Sequence, residues 1–317
     1  STSGLASAMA QFFGEVTCNS HFTARTFCSC EGPTGRRHDA CMMETKNASC
    51  CASLVPLTKF LLGLAVTIVG VPAAGILIPT TQRPLPVQHV PVGGGAILHL
   101  PHPDYVHEYV PDSHATCPSV ALLGLVGLGL VVVLLLHVRS AARALDAAST
   151  YLFAFALTAI TTVWAKNFCG YYRPNFFEGC GWNATTLACA HEYIDGRHSF
   201  PSGHASFSAV AAAVVTLYAL QALEAAASRG GGHSLRTRAL AVAVPVPAAV
   251  ATWVAATRVH DNVHHPADVA CGSFLGVTCA ALVFALATGG AAPRSAPLLE
   301  IGTEMTERRS EAGASAG

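Results

Sequence analysis

Three short polar segments hold the residues of this 317-residue chain best suited to chemistry. They are Lys166-Asn-Phe-Cys-Gly-Tyr-Tyr-Arg173-Pro174, Ser199-Phe-Pro201-Ser202-Gly203-His204, and Thr257-Arg258-Val-His260-Asp261-Asn-Val-His264-His265-Pro266-Ala-Asp268. Lys166, Arg173 and Arg258 supply three cations. Pro201-Ser202-Gly203 ahead of a helix reads as a cap followed by free backbone N–H groups, a start that attracts anions through its orphan donors and its dipole. Gly203 lets a ligand approach the backbone closely. Three cations and such a helix start point to a phosphate, with Lys166, Arg173, Ser202, Gly203 and Arg258 as the residues to hold it.

His204, His264 and Asp268 can then run a reaction on that phosphate. A neutral imidazole attacks phosphorus when a carboxylate orients it and stabilises the cation that forms. His264 and Asp268 are four residues apart, and Pro266 suits a first helical turn, so Asp268 can fold back beside His264. His204 is placed to protonate the leaving alkoxide as general acid. The scheme needs no metal and no cofactor, because the cations neutralise the developing charge. Blander readings exist for each residue alone. Lys166 can snorkel to a membrane interface, and His260, His264, His265 and Asp268 can be read instead as a metal site. His89, His99, His102, His107 and His114 carry no usable carboxylate pattern and read as loop residues.

The elements that must position these groups are membrane helices. The chain is 52% hydrophobic and only 11% charged, where a soluble domain carries about a quarter charged residues. Its 18 basic and 18 acidic residues cancel, which leaves no net positive charge to hold nucleic acid. A spanning helix needs about 20 apolar residues, and six stretches approach that: 55–78, 119–138, 150–166, 204–223, 238–256 and 267–288. Pro245 and Pro247 fall inside the fifth and should kink it. If each stretch crosses once, the three polar segments share one face of the membrane. Arg139 and Arg143, then Arg229, Arg236 and Arg238, occupy the connections on the opposite side, with further basic residues in both termini. By the positive-inside rule the termini are cytoplasmic and the polar segments face the lumen or exterior of a plasma membrane or endomembrane. The fold class expected is an all-α six-span bundle over 54–289, between a Cys-rich arm (1–53) and a disordered tail (290–317).

The arm holds Cys18, Cys28, Cys30, Cys41, Cys50 and Cys51, none in the C-x-x-C spacing of a zinc site. Cys50 and Cys51 abut the first span, where palmitoylated and free thiols are both open readings. The chain opens on Ser1 without methionine, which reads as processing or truncation. On the far side, Cys180 and Cys189 fall in one short loop and can pair, and Asn183-Ala184-Thr185 between them is a glycosylation sequon for a lumenal or exterior loop. Asn47-Ala48-Ser49 is a second sequon, placed by this topology in the cytoplasm and therefore silent.

Together, Lys166-x6-Arg173-Pro174, Pro201-Ser202-Gly203-His204 and Arg258-x5-His264-x3-Asp268 resemble the three-part signature of the type 2 phosphatidic acid phosphatases, or lipid phosphate phosphatases. The active site of that family is related to that of the vanadium haloperoxidases. The resemblance covers about 54–290, and the phrases around Gly196–His204 and Val263–Asp268 look most like its fungal and plant branch. It implies that His264 forms a phosphohistidine with Asp268 as partner, that His204 donates the leaving-group proton, and that Lys166, Arg173, Ser202, Gly203 and Arg258 hold the phosphate. It further implies a magnesium-independent hydrolase acting on phosphatidate, lysophosphatidate, diacylglycerol pyrophosphate or sphingoid phosphates in the bilayer. Thr257 stands where serine is usual, Asn175 where aspartate is common, and Tyr172 where a small or apolar residue is frequent. The last two bear on headgroup fit. A polyisoprenyl-pyrophosphate phosphatase of the same superfamily, or a non-catalytic membrane scaffold on this fold, are the alternative readings.

Overall fold

A computed structural model describes residues 55–92, 94, 96–228 and 241–289. The Cys-rich arm with Asn47, Cys50 and Cys51, the tail, and Arg229, Arg236 and Arg238 lie outside the described residues. Among the described residues six helices are long and apolar enough to cross a membrane. They are α1 (Val55–Leu77), α2 (Ser119–Leu136), α3 (Ala141–Cys169), α4 (Gly203–Ala227), the span Ala241–His260 with α5 (Pro245–His260) as its main part, and α6 (Pro266–Ala287).

Local chemistry explains where these helices differ from the expected spans. Pro72 lacks an N–H and crowds the carbonyl one turn back, and α1 absorbs this by widening to a π-helix over Val66–Gly70, just ahead of the proline. The third span is longer than 150–166. Ser140 caps it, its Oγ accepting from the Arg143 N–H, so Arg143 lies inside α3 and not in the connection before it. The polar first turns are tolerated because Asp146 pairs with Lys59 of α1 at 3.1 Å. In the fifth span the break falls at Val244, and Pro245 and Pro247 occupy the first turn of the helix that resumes, where a missing N–H costs little.

The most enclosed helix is α3, while α1 and α2 turn most of their apolar surface outward. Tyr151 of α3 donates to the Val126 carbonyl of α2 at 2.6 Å, in the space left by Gly129. Val210, Val214 and Tyr218 of α4 and Phe284 of α6 complete this cluster. Helices α4 and α6 pack closest of all. A Cβ on Gly272 would stand 2.5 Å from the Ser202 carbonyl oxygen, and one on Gly276 would stand 2.3 Å from that of Ser206. Small residues at such a crossing let two backbones touch where the hydrophobic effect gives helices no drive to associate.

Two short antiparallel pairs modify the all-α expectation. Strands β1 (Val87–Val92) and β2 (Ala96–Pro101) form a hairpin that sets His89 opposite His99, their Nδ1 atoms 2.8 Å apart. Strands β3 (Trp182–Asn183) and β4 (Ala188–Cys189) form a smaller pair beside the Cys180–Cys189 disulfide. Both belong to connections at the end of the bundle where the three polar segments meet.

Candidate active site

Each polar segment is set in place by the way its helix begins or ends. Lys166 lies in the last turn of α3, whose exit requires Gly170. Its φ of 53° is left-handed, and a Cβ there would sit 2.1 Å from the Thr81 carbonyl oxygen. The Arg258-x5-His264 spacing is one helix-ending turn. Asn262 takes the left-handed conformation (φ 54°), and the N–H groups of Val263 and His264 both reach back to the Arg258 carbonyl at 3.1 and 3.2 Å. His265 then caps α6, with Pro266 in the first turn and Asp268 as the third helical residue reaching back to the cap. Ser202 caps α4, its Oγ accepting from the Ala205 N–H, and its own N–H donates to the Asp268 carbonyl at 3.0 Å. The backbone thus ties the second segment to the third.

A cavity of about 530 Å³ opens among these ends. Lys166, Arg173, Gly203, His204, Arg258 and His264 line it, with Leu122, Leu123 and Phe207 as an apolar wall. Of the eight residues expected in the site, six therefore share one cavity. Ser202 and Asp268 are buried behind it, Ser202 in its capping role and Asp268 against His264. A Cβ on Gly203 would meet Lys166 Cε at 3.7 Å and the Phe207 ring at 3.8 and 3.9 Å, all ordinary contacts, so no steric demand of the protein requires a glycine here.

The two arginines are held in the same manner. Arg173 donates through Nε to the Asp195 carbonyl at 2.9 Å and through Nη2 to the Asp195 carboxylate at 2.8 Å. Arg258 donates through Nε to Thr257 Oγ1 at 3.2 Å and through Nη2 to Asp261 at 2.9 Å. In both, one edge of the guanidinium is fixed by protein and the Nη1 side remains for a ligand, the fork geometry that recognises phosphate. Asp261 is anchored in turn by the Thr116 N–H and hydroxyl at 2.9 and 2.6 Å. Burial opposes its ionisation, but hydrogen bonds from Thr116 and His260 and the charge of Arg258 outweigh this and hold the carboxyl below its usual range. Lys166 Nζ donates to the His198 carbonyl, and the His198 ring bonds Thr80 at 2.9 Å. One short turn, Ile194–Arg197 with its C-cap His198, thus brackets both Lys166 and Arg173.

His264 is 3% exposed, with Nδ1 at 3.7 Å from Asp268 Oδ2 and Nε2 on the opposite edge of the ring. The separation exceeds a hydrogen bond, as is common in catalytic pairs before substrate arrives. Burial, assisted by the charges of Arg173 and Lys166 and opposed by Asp268, pushes the His264 pKa well below the ordinary imidazole value. That direction favours the uncharged ring. Asp268 Oδ2 also accepts from Ser199 Oγ at 2.5 Å and from the His265 N–H at 2.9 Å, with His265 Nδ1 at 3.2 Å. His204 stands at the start of α4, its Nε2 buried with no hydrogen-bond partner.

Among the described residues, no three His, Cys, Asp or Glu side chains are arranged to hold a metal ion. His260, counted in that alternative, is 80% exposed and turned toward Asp261. Asn183 is exposed, and its Oδ1 accepts from the N–H groups of Thr185 and Thr186. Sequence reasoning missed Asp195, His198, Ser199, Asp261 and Thr116; it singled out Asn175 for headgroup fit, but not as a buried amide in the cavity lining without a hydrogen-bond partner. Only Asp261 had a local signal, three residues beyond Arg258 on the same helix end.

The sequence is similar to known proteins over the part of the chain that holds these residues. Residues 147–289, which include all eight site residues, match the model of the PAP2 superfamily. A Schizosaccharomyces pombe protein named probable diacylglycerol pyrophosphate phosphatase 1 is 30% identical over 133 residues, 38% of this chain and 45% of its own length. Lipid phosphate phosphatase 1 of Arabidopsis thaliana is 32% identical over 143 residues, 42% of each chain. Phospholipid phosphatase 1 of Rattus norvegicus is 31% identical over 150 residues, 43% of this chain and 50% of its own. The chain thus spans about half the length of the curated relatives it matches. No solved structure matches it. Helices α1 and α2 and the β1–β2 hairpin precede the family match, although residues 109–123 contribute one wall of the cavity.

Proposed function

We propose that this protein is a membrane lipid phosphate phosphohydrolase that works through a phosphohistidine. The observation carrying this reading is the single cavity at the helix ends, where three cations and two histidines from separate elements face an apolar wall. In that arrangement Lys166 and the free edges of Arg173 and Arg258 hold the phosphate oxygens, with the N–H groups at the start of α4 beside them. His264 Nε2 attacks phosphorus as the bond to the lipid oxygen breaks, and His204 gives that oxygen its proton. Water then attacks phosphorus, its proton passes to His204, and the P–N bond breaks to release inorganic phosphate. Asp268 stabilises the imidazolium of His264 in both halves. No step calls on a divalent cation. Leu122, Leu123 and Phe207 supply a surface for the lipid chain next to its headgroup. Phosphatidate, lysophosphatidate, diacylglycerol pyrophosphate and sphingoid phosphates are the substrates proposed, with the cavity facing the lumen or exterior.

The test is phosphate release from the detergent-solubilised protein in excess EDTA, with phosphatidate, diacylglycerol pyrophosphate and sphingosine phosphate as substrates and His264→Ala as control. Release from at least one lipid that vanishes in the variant is expected. Wild-type release in His264→Ala would remove the nucleophile from the mechanism. Inactivity of a folded wild type on all three lipids would turn the assignment toward an isoprenoid pyrophosphate or a scaffold.

A further inference from the structure

Asn175 lies two residues beyond Arg173, lines the cavity and is 1% exposed, yet neither its amide oxygen nor its amide nitrogen has a hydrogen-bond partner. Buried amides are almost always paired, because a missing bond costs the full desolvation of the group. Asn175 also occupies the N-cap of the one-turn helix Phe176–Gly179, where an asparagine side chain ordinarily bonds the backbone, and here it makes no such bond. Tyr172, Phe176 and Phe177 form the apolar cluster next to it. The amide is therefore unused by the fold and sits in the wall of the substrate cavity.

We propose that Asn175 determines specificity by reading the group next to the phosphate ester, favouring lipid phosphates with a hydroxyl or ammonium at that place over fully acylated ones. This rests on the lipid phosphatase reading of the same cavity. The reason lies in what each side brings. Nδ2 can donate to a phosphate or ester oxygen, which any lipid phosphate offers. Oδ1 is an acceptor and needs a donor, and an ionised phosphate has none. The three cations already serve the phosphate charges. A diacylated glycerol phosphate presents only acceptors beside its phosphate and leaves Oδ1 unpaired. A monoacylated glycerol phosphate has a free hydroxyl there, and a sphingoid phosphate has an ammonium and a hydroxyl. A site built to bond a substrate hydroxyl rejects an analogue without it, because the protein group is then left buried and unpaired.

The experiment compares kcat/KM of the full chain in mixed micelles for 1-oleoyl lysophosphatidate and for its 2-O-methyl ether, which keeps the oxygen and loses the donor. The wild type is expected to prefer the free hydroxyl about tenfold or more. Asn175→Leu, near in volume, should reduce the preference to within about twofold, whereas Asn175→Asp, which keeps an acceptor, should retain it. Turnover of both lipids without discrimination by the wild type, or a preference that survives in Asn175→Leu, overturns the proposal alone. No turnover of either lipid beside turnover of phosphatidate, diacylglycerol pyrophosphate or sphingosine phosphate overturns the proposal alone, and no turnover of any of the five overturns the phosphatase reading with it. If Asn175→Leu does not fold, the wild-type pair and Asn175→Asp still decide, since loss of the preference in Asn175→Asp contradicts an acceptor role.

Discussion

Gly272→Ala tests whether the α4–α6 contact sets the geometry of the site. The added Cβ would lie 2.5 Å from the Ser202 carbonyl oxygen, 3.3 Å from the Ser202 nitrogen and 3.4 Å from Ala205 Cβ. The two nearest neighbours are backbone, so no flexible side chain can yield. Reaching a separation of 3.0–3.4 Å requires α6 to retreat from α4 by about 0.5–0.9 Å. Gly272 is one turn beyond Asp268, and Ser202 immediately precedes Gly203 and His204. The retreat therefore strains the Ser202 N–H bond to the Asp268 carbonyl and separates the His204 segment from the His264–Asp268 pair. A displacement of about 1 Å at a reacting centre can cost about 10²-fold in rate, and overpacking of this kind costs about 1–3 kcal/mol of stability. The assay is kcat/KM for lipid phosphate hydrolysis beside thermal unfolding in the same detergent. Gly127→Ala on α2, where a Cβ meets nothing within 4 Å, is the control and should match wild type in both. Wild-type kcat/KM in Gly272→Ala, with the protein folded, would falsify the idea that this crossing positions the chemistry.

Other consequences follow from the same contacts. Because the His264 pKa is pushed below the ordinary 6.5, the neutral nucleophile persists to lower pH than a free imidazole would, so the acidic limb of kcat/KM should lie below pH 6.5; a limb above that value contradicts the depressed pKa. Asp261→Asn strands the buried Arg258 without its carboxylate, and unfolding should show a loss of about 3–5 kcal/mol with activity falling alongside. Asp195 is 64% exposed, so Asp195→Asn should barely move the melting temperature while lowering kcat/KM through a less fixed Arg173; equal stability losses in the two variants would undo this contrast. Asn183 is exposed in a connection on the cavity side, and a glycosidase-sensitive mass shift, absent in Asn183→Gln, is expected if that side faces the lumen or exterior; a shift from Asn47 instead would invert the orientation.

Much of this site is legible in the chain because its logic is local. Four residues from His264 to Asp268 are one helical turn, and the six from Arg258 to His264 are one helix ending followed by a cap, so spacing alone brings His264, Asp268 and Arg258 together. The spans are legible for a similar reason, since each needs only an uninterrupted apolar run. What tertiary structure decided lies in contacts between distant stretches. Ser199 meets Asp268 across 69 residues, Thr116 meets Asp261 across 145, and Thr80 meets His198 across 118. No periodicity encodes such pairs, because they exist only once the connections fold over the helix ends. The same holds for Gly272 and Asn175. A glycine in an apolar helix looks ordinary in sequence, and Asn175 stands out there only as a departure from a family pattern; the physical meaning of each comes only when one backbone presses against another and a buried amide is left without a partner.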